Sequence, residues 1–312
     1  MLGYRFRFYL AEFSEILRFY LPTYIPATTK ISYLKFLSKK YVIPKLTLSA
    51  LPEKISLETR TKCNGQCPFC AASVKNETRK DTTMLDEIFK KIITELSVKC
   101  FNGLLTFSGN NEPLLDKNLI ERIRFAKTML THAKFGLMTN GVLLTNEVGQ
   151  KLFDAGLDRL YINNYSYDGI IRKNIYDFIK KTKPLYKDKD IQLFQSRYNN
   201  KMVTNRAGSN PQKLLQQFLP LPCKYLFEQF NITTSGRVCL CCQDIYCAAD
   251  LGNVTNNSIE EIWNNDKINL LRNNMLQGNR NCSPLCSICD FIGFSPGDVP
   301  FPHNYLVRFK LM

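Results

Sequence analysis

The 312-residue chain has only two histidines, His132 and His303, and neither lies near its first group of cysteines. It has no run of 18 apolar residues, so no helical membrane span is expected. Its first residues, MLGYRFRFYLAEF, are broken by charge and lack a small-residue cleavage site, so no cleavable export signal is expected. Acidic residues are few: 27 Asp and Glu stand against 42 Lys and Arg, a net charge of +15. That imbalance favours anionic partners, whether phosphorylated small molecules, nucleic acid or an acidic membrane surface. A composition rich in Lys and Asn throughout is the plainer explanation. No internal repeat or low-complexity tract occurs.

What the chain has in excess is cysteine, twelve in all. Without an export signal the expected location is cytoplasmic, where thiols stay reduced. Clustered cysteines there read as metal ligands rather than disulfides. The length suggests about two domains.

Three segments are expected. Residues 1–52 hold eleven aromatics and eight Lys or Arg against two Glu. Leu10, Phe13, Ile16, Leu17 and Tyr20 share one helical face. Such a helix packs on the following domain or makes peripheral membrane contact; the first is the expectation. Residues 53–205 alternate strand and helix. Strands are expected at 55–59, 104–108, 135–138, 159–162 and 191–194. Helices are expected at 84–98 (Thr83 or Asp86 at its start), 116–130 (capped by Asp116), 145–155 (capped by Thr145) and 170–182. Five strands alternating with four helices argue for parallel βα units, whose ligands sit at the carboxyl ends of the strands. Those ends hold Ser108–Pro113, Thr139–Gly141, Asn163 and Asn164, and Gln195, Arg197 and Asn199. Residues 206–312 carry eight of the cysteines as a second unit.

The first cysteine group, Cys63, Cys67 and Cys70, follows the first expected strand with spacing C-x3-C-x2-C. A structural zinc site wants four ligands. Three thiolates around a 4Fe–4S cluster leave one iron open, as catalysis requires. Zinc is the alternative, and no histidine nearby supports it. Phe69 is placed to shield the site from water. Cys100 reads as a buried helix-end thiol.

This pattern, at the first strand of a βα barrel, resembles the signature of radical S-adenosylmethionine (radical SAM) enzymes over roughly residues 53–310. The resemblance implies a partial (β/α) TIM-type barrel of the α/β class, with a C-terminal cysteine-rich auxiliary-cluster domain and an N-terminal helical extension. It implies a SAM-binding 4Fe–4S cluster on Cys63, Cys67 and Cys70. It also implies reductive cleavage of SAM to a 5′-deoxyadenosyl radical that takes a hydrogen atom from substrate. Gly109-Asn-Asn-Glu-Pro113 is similar to the family's Gly-Gly-Glu-Pro segment, so Gly109, Asn111 and Glu112 are expected at the methionine amine. Asn110 and Asn111 depart from that pattern; Asn111 stands where a glycine is usual, and Asn tolerates left-handed backbone. Thr139, Asn140 and Asn163 match later segments near SAM.

The stretch around CLCCQD, LGNV, IEEIWNN and PLCSIC looks like a SPASM/twitch-type extension. Cys223, Cys241, Cys286 and Cys289 would hold one auxiliary 4Fe–4S cluster, with Gly236 turning a hairpin whose two strands each deliver a cysteine. Cys239, Cys242, Cys247 and Cys282 are then spare, though Cys239 or Cys242 could replace Cys241. A zinc ribbon is the alternative.

A fully ligated cluster suits electron transfer. The resemblance to the twitch group implies oxidation, with epimerisation next, of a small sugar, aminosugar or polyol, with anionic character in keeping with the charge. Arg206 is the expected catalytic residue, bonding the substrate hydroxyl; a structural arginine is its alternative. An external reductant such as flavodoxin or ferredoxin is implied. Modification of a ribosomally made peptide is a second reading, against which the amino-terminal segment is short for a peptide-recognition domain. A metal-held nucleic-acid-binding module is a third, and it leaves the three-cysteine loop and Glu112 unused, so no nucleic-acid partner is expected.

Overall fold

The computed structural model describes residues 27–46, 48–197, 204–213, 219–295 and 298–299. The expected stripe of Leu10, Phe13, Ile16, Leu17 and Tyr20 lies outside the described residues, as do Asn199 and His303.

Among the described residues one seven-stranded sheet runs β5-β4-β3-β2-β1-β6-β7. The strands are β1 (Lys54–Leu57), β2 (Leu104–Thr106), β3 (Lys134–Thr139), β4 (Arg159–Ser166), β5 (Asp190–Arg197), β6 (Gln229–Ile232) and β7 (Val238–Cys239). Only the β6–β7 pair is antiparallel. After helix α1 (Ala27–Leu37), the crossovers are α2 (Asp86–Val98), α3 (Leu119–Met129), α4 (Asn146–Asp154) and α5 (Lys173–Lys181). Consecutive strands that are also parallel neighbours, joined by crossovers of one hand, place every helix on the same face. The sheet curls into a partial barrel with the helices outside.

Side-chain alternation follows. Ile55, Leu57, Leu105, Phe107, Phe135, Leu137, Leu160, Ile162, Phe230 and Ile232 face the helices and are buried in one core. Their neighbours point the other way, where the Thr106 hydroxyl donates to Ser56 Oγ at 3.0 Å.

Helix starts met expectation unevenly. Thr145 caps α4, its hydroxyl accepting from the Val148 N–H at 3.1 Å. Asp116 does not cap α3. Asn118 holds the cap position, and Asp116 turns inward to Arg122 at 3.3 Å because that buried guanidinium needs a counter-charge. Leu85 precedes α2 with no side-chain cap, so neither Thr83 nor Asp86 serves. Strands β4 and β5 are longer than expected and stay paired from Arg159↔Asp190 to Ser166↔Arg197. Asn163, Asn164, Gln195 and Arg197 therefore lie within strands rather than after them. Cys100 is exposed at φ 51°, ending α2 in a left-handed turn, not buried as expected.

The sheet does not stop where the cysteine-rich unit begins. β6 pairs in parallel with β1 from Lys54↔Gln229 to Leu57↔Ile232. Gly236, at φ 81°, turns the hairpin into β7, where a Cβ would meet Asn253 Oδ1 at 2.6 Å. The hairpin does not carry its cysteines as expected. Cys223 precedes the helical turn Tyr225–Glu228, and Cys241 follows β7. Two further helices, α6 (Ile259–Trp263) and α7 (Asp266–Leu276), complete the unit. At the other end, Leu34 and Leu37 of α1 pack on Leu221, Phe294 and Val299.

Candidate active site and auxiliary cluster pocket

Cys63, Cys67 and Cys70 lie on the loop that leaves β1. The Val74 N–H donates to the Gly65 carbonyl at 2.9 Å and draws the loop into a bowl. A Cβ on Gly65 would stand 3.3 Å from Cys63 Sγ and 3.8 Å from Cys67 Sγ, so glycine leaves the space between the sulfurs clear. The Gly65 N–H donates to Cys63 Sγ at 3.2 Å. Burial pushes the Cys63 thiol up to about 12; the Gly65 N–H opposes this, while Glu112, Cys70 and Cys67 add to it. Three thiolates crowded in a half-buried loop require a cationic centre. Phe69 is buried with its ring edge-on to Tyr165, 5.8 Å between centroids.

The residues expected to bind SAM divide into three groups. Asn140 and Asn163 line an open pocket of about 910 Å³ beside Cys67, with Asn64, Gly65, Gln66, Tyr165, Ser166, Tyr167, Asp168 and Arg172. Glu112 and Thr139 are buried behind it as a brace. Glu112 Oε1 accepts from the Thr139 hydroxyl at 2.7 Å, and Oε2 accepts from the Asn140 N–H at 2.7 Å. Its carboxyl is held above the usual range by burial, against those bonds. Glu112 thus joins the loop after β2 to the loop after β3. Gly109 and Asn111 close their own loop, the Gly109 N–H donating to Asn111 Oδ1 at 2.8 Å. Asn111 does not use the left-handed backbone that its type allows. Gly109 itself passes over Glu58, whose Cβ a Gly109 side chain would meet at 2.8 Å.

The second site brings together the four cysteines expected there. Cys223, Cys241, Cys286 and Cys289 line one pocket, together with Ala207, Tyr225, Arg280 and Phe291. Burial pushes the Cys223 thiol up to about 11 and Cys286 up to about 12. Backbone N–H groups point at the sulfurs: Tyr225 at Cys223, Gln243 at Cys241, and Phe291 and Ala207 at Cys289. The donor stands two residues after its cysteine at Cys63, Cys223, Cys241 and Cys289 alike. Such donors stabilise thiolate and tune cluster potential. Both cysteine sets therefore fit iron–sulfur clusters. Among the described residues no three His, Cys, Asp or Glu side chains converge on a point for a single ion; a cubane holds its thiolates further apart. Cys239 lies instead beside Cys247, both buried free thiols.

Sequence reasoning missed Arg79. Its guanidinium reaches both Glu58 oxygens at 3.0 and 3.1 Å, Glu77 at 2.8 Å and the Asn110 carbonyl at 2.7 Å. It also reaches the Ile245 carbonyl of the cysteine-rich unit at 3.4 Å. A lone arginine in a polar loop carries no sequence signal for such a role.

A model of the radical SAM superfamily matches residues 57–186, and a model described as an iron–sulfur cluster-binding domain (SPASM) matches residues 223–290. The chain belongs to the radical SAM superfamily. Its cofactors are SAM with a 4Fe–4S cluster in the barrel and an auxiliary cluster in the C-terminal unit. The chain is similar to the S-adenosyl-L-methionine-dependent 2-deoxy-scyllo-inosamine dehydrogenase of Niallia circulans, 27% identical over 240 residues, 76% of this chain and 92% of that enzyme. It is 34% identical to a PqqA peptide cyclase of Bradyrhizobium diazoefficiens over 122 residues, 38% of this chain and 30% of that one. Its fold is like that of BtrN, solved with AdoMet and 2-DOIA, with a TM-score of 0.68 at 23% identity over 78% of this chain and 95% of that one. Among the described residues no helix is long and apolar enough to cross a membrane.

Proposed function

We propose that this radical SAM enzyme dehydrogenates an aminocyclitol or similar aminosugar, converting a ring carbinol to a ketone. One observation carries the reading. Likeness to the inosamine dehydrogenase runs through 92% of that enzyme, whereas likeness to the peptide cyclase covers 30% of that protein.

When bound, SAM and its cluster supply an acceptor for a hydrogen atom, and the auxiliary cluster supplies an acceptor for one electron. The carbinol C–H gives up the first, and its carbon gives up the second. The hydroxyl proton leaves separately, so atoms and electrons balance. Cys63, Cys67 and Cys70 would hold the first cluster. Cys223, Cys241, Cys286 and Cys289 would hold the second and leave no iron open to substrate. Asn140 and Asn163 would face SAM. A guanidinium donates hydrogen bonds and has no acceptor, so Arg206 can hold the substrate oxygen but cannot take its proton. A small electron-transfer protein such as flavodoxin or ferredoxin would supply the starting electron.

The test uses anaerobically reconstituted enzyme, SAM, reductant and 2-deoxy-scyllo-inosamine deuterated at the ring carbinols. Deuterium is expected in 5′-deoxyadenosine, alongside a ketone two hydrogens lighter than substrate. Steady SAM cleavage with no deuterium transfer from this or any related aminosugar would refute the reading.

A further inference from the structure

Arg206 and Ala207 both have positive φ, 49° and 50°, although neither is glycine. A left-handed residue with a side chain is strained, and such strain persists only where surrounding contacts impose it. Those contacts are present. The Asn205 N–H donates to Asp290 Oδ1 at 2.7 Å, and its side-chain amide donates to the Ile288 carbonyl at 2.6 Å. The loop is thereby clamped to the segment carrying Cys289.

The twist sends the two residues in different directions. The Ala207 N–H points at Cys289 Sγ. The Arg206 side chain crosses to the barrel, where Nη2 donates to Asn110 Oδ1 and to the Cys242 carbonyl, the latter at 3.1 Å. Its Nε is buried with no partner. Asn110, like Asn111, departs from the segment expected in this loop. Its own carbonyl is gripped by Arg79 at 2.7 Å, so the side chain springs from a fixed backbone. A glycine there could not hold Arg206.

We propose that Asn110 is a positioning residue that aims Arg206 and ties it to the loop after β2, so that the oxidising geometry depends on that loop being in place. This rests on the dehydrogenase reading and on the role of Arg206 within it.

The experiment compares Asn110→Gly, Asn110→Ala and Asn110→Asp, with Arg206→Lys alone and combined with Asn110→Ala, all as reconstituted holoenzyme. For the three Asn110 single variants, iron content and SAM cleavage without substrate are expected within about twofold of the parent. With 2-deoxy-scyllo-inosamine, ketone formation by Asn110→Gly and Asn110→Ala should fall roughly 10- to 100-fold, in kcat more than KM, the scale of a misplaced group. Asn110→Asp keeps an acceptor and should recover most of that loss. Asn110→Ala should add nothing to Arg206→Lys. Amide hydrogen exchange gives a reading free of substrate: protection of 204–210 and of Cys242–Asp244 should drop in Asn110→Ala and hold in Asn110→Asp. Unchanged protection, or losses that add independently of Arg206→Lys, would overturn the positioning role. If the inosamine is not turned over, the dehydrogenase reading fails on its own, and hydrogen exchange still decides whether Asn110 holds Arg206.

Discussion

Glu58 stands one residue past β1 and shares the guanidinium of Arg79 with Glu77. One positive charge cannot fully offset a buried carboxylate and a half-buried one. Burial raises Glu58 to about 7; Arg79 opposes the shift and Glu77 adds to it. The sign follows from linkage. The folded value lies above the unfolded one of 4.5, so this group's stabilising contribution is complete below about pH 4.5 and is lost as pH rises through 7. Glu58→Gln has no proton to lose. Its urea midpoint should match the parent at pH 5 and exceed it at pH 8, by on the order of 1–3 kcal/mol for a shift of this size. Equal midpoints at both values would show that Glu58 is ionised throughout.

Helices α4 and α5 meet through a glycine. A Cβ on Gly149 would lie 2.2 Å from Cε2 of the fully buried Phe178, whose ring also stacks on Phe153 at 6.5 Å. Ala in place of Gly inside a helix ordinarily gains up to about 1 kcal/mol. Here the ring has no free direction, and overpacking costs about 1–3 kcal/mol. Gly149→Ala should therefore lower the thermal midpoint by a few degrees, read by circular dichroism; a rise would mean that the two helices can part without cost. Thr145, on the same helix, is the contrasting case. Its cap was legible because the bond spans three residues. Asp116 was not, because Arg122, six residues on, outbid a local cap by bringing a buried charge.

At the scale of the whole molecule, the two cysteine-bearing units share one sheet through β1 and β6, and polar links cross between them. Arg79 reaches Ile245, and Arg206 reaches Asn110. This continuity fixes the auxiliary pocket relative to the barrel mouth, which electron transfer between them requires. It also distinguishes three neighbouring thiols. Cys241 lines the pocket, Cys239 lies beside Cys247, and Cys242 presents its carbonyl to Arg206. Cys241→Ala should cut iron from about eight to about four atoms per chain, retain SAM cleavage and abolish ketone. Cys242→Ala should keep the full iron content. The reverse pattern, measured by iron analysis and cluster spectroscopy, would exchange their assignments.

The chain order of motifs determined the barrel and singled out Cys63, Cys67 and Cys70 and four later thiols as candidate cluster ligands, because thiol spacing on short loops and strand–helix alternation are local properties. Tertiary structure alone decided that Glu112 and Thr139 brace the site from behind while Asn140 and Asn163 face it. It alone brought Arg79 to the Asn110 carbonyl and the Asn110 side chain to Arg206. Those outcomes depend on which charge finds which partner across 31 to 166 residues of chain, and burial, not sequence distance, sets the strength of such bonds.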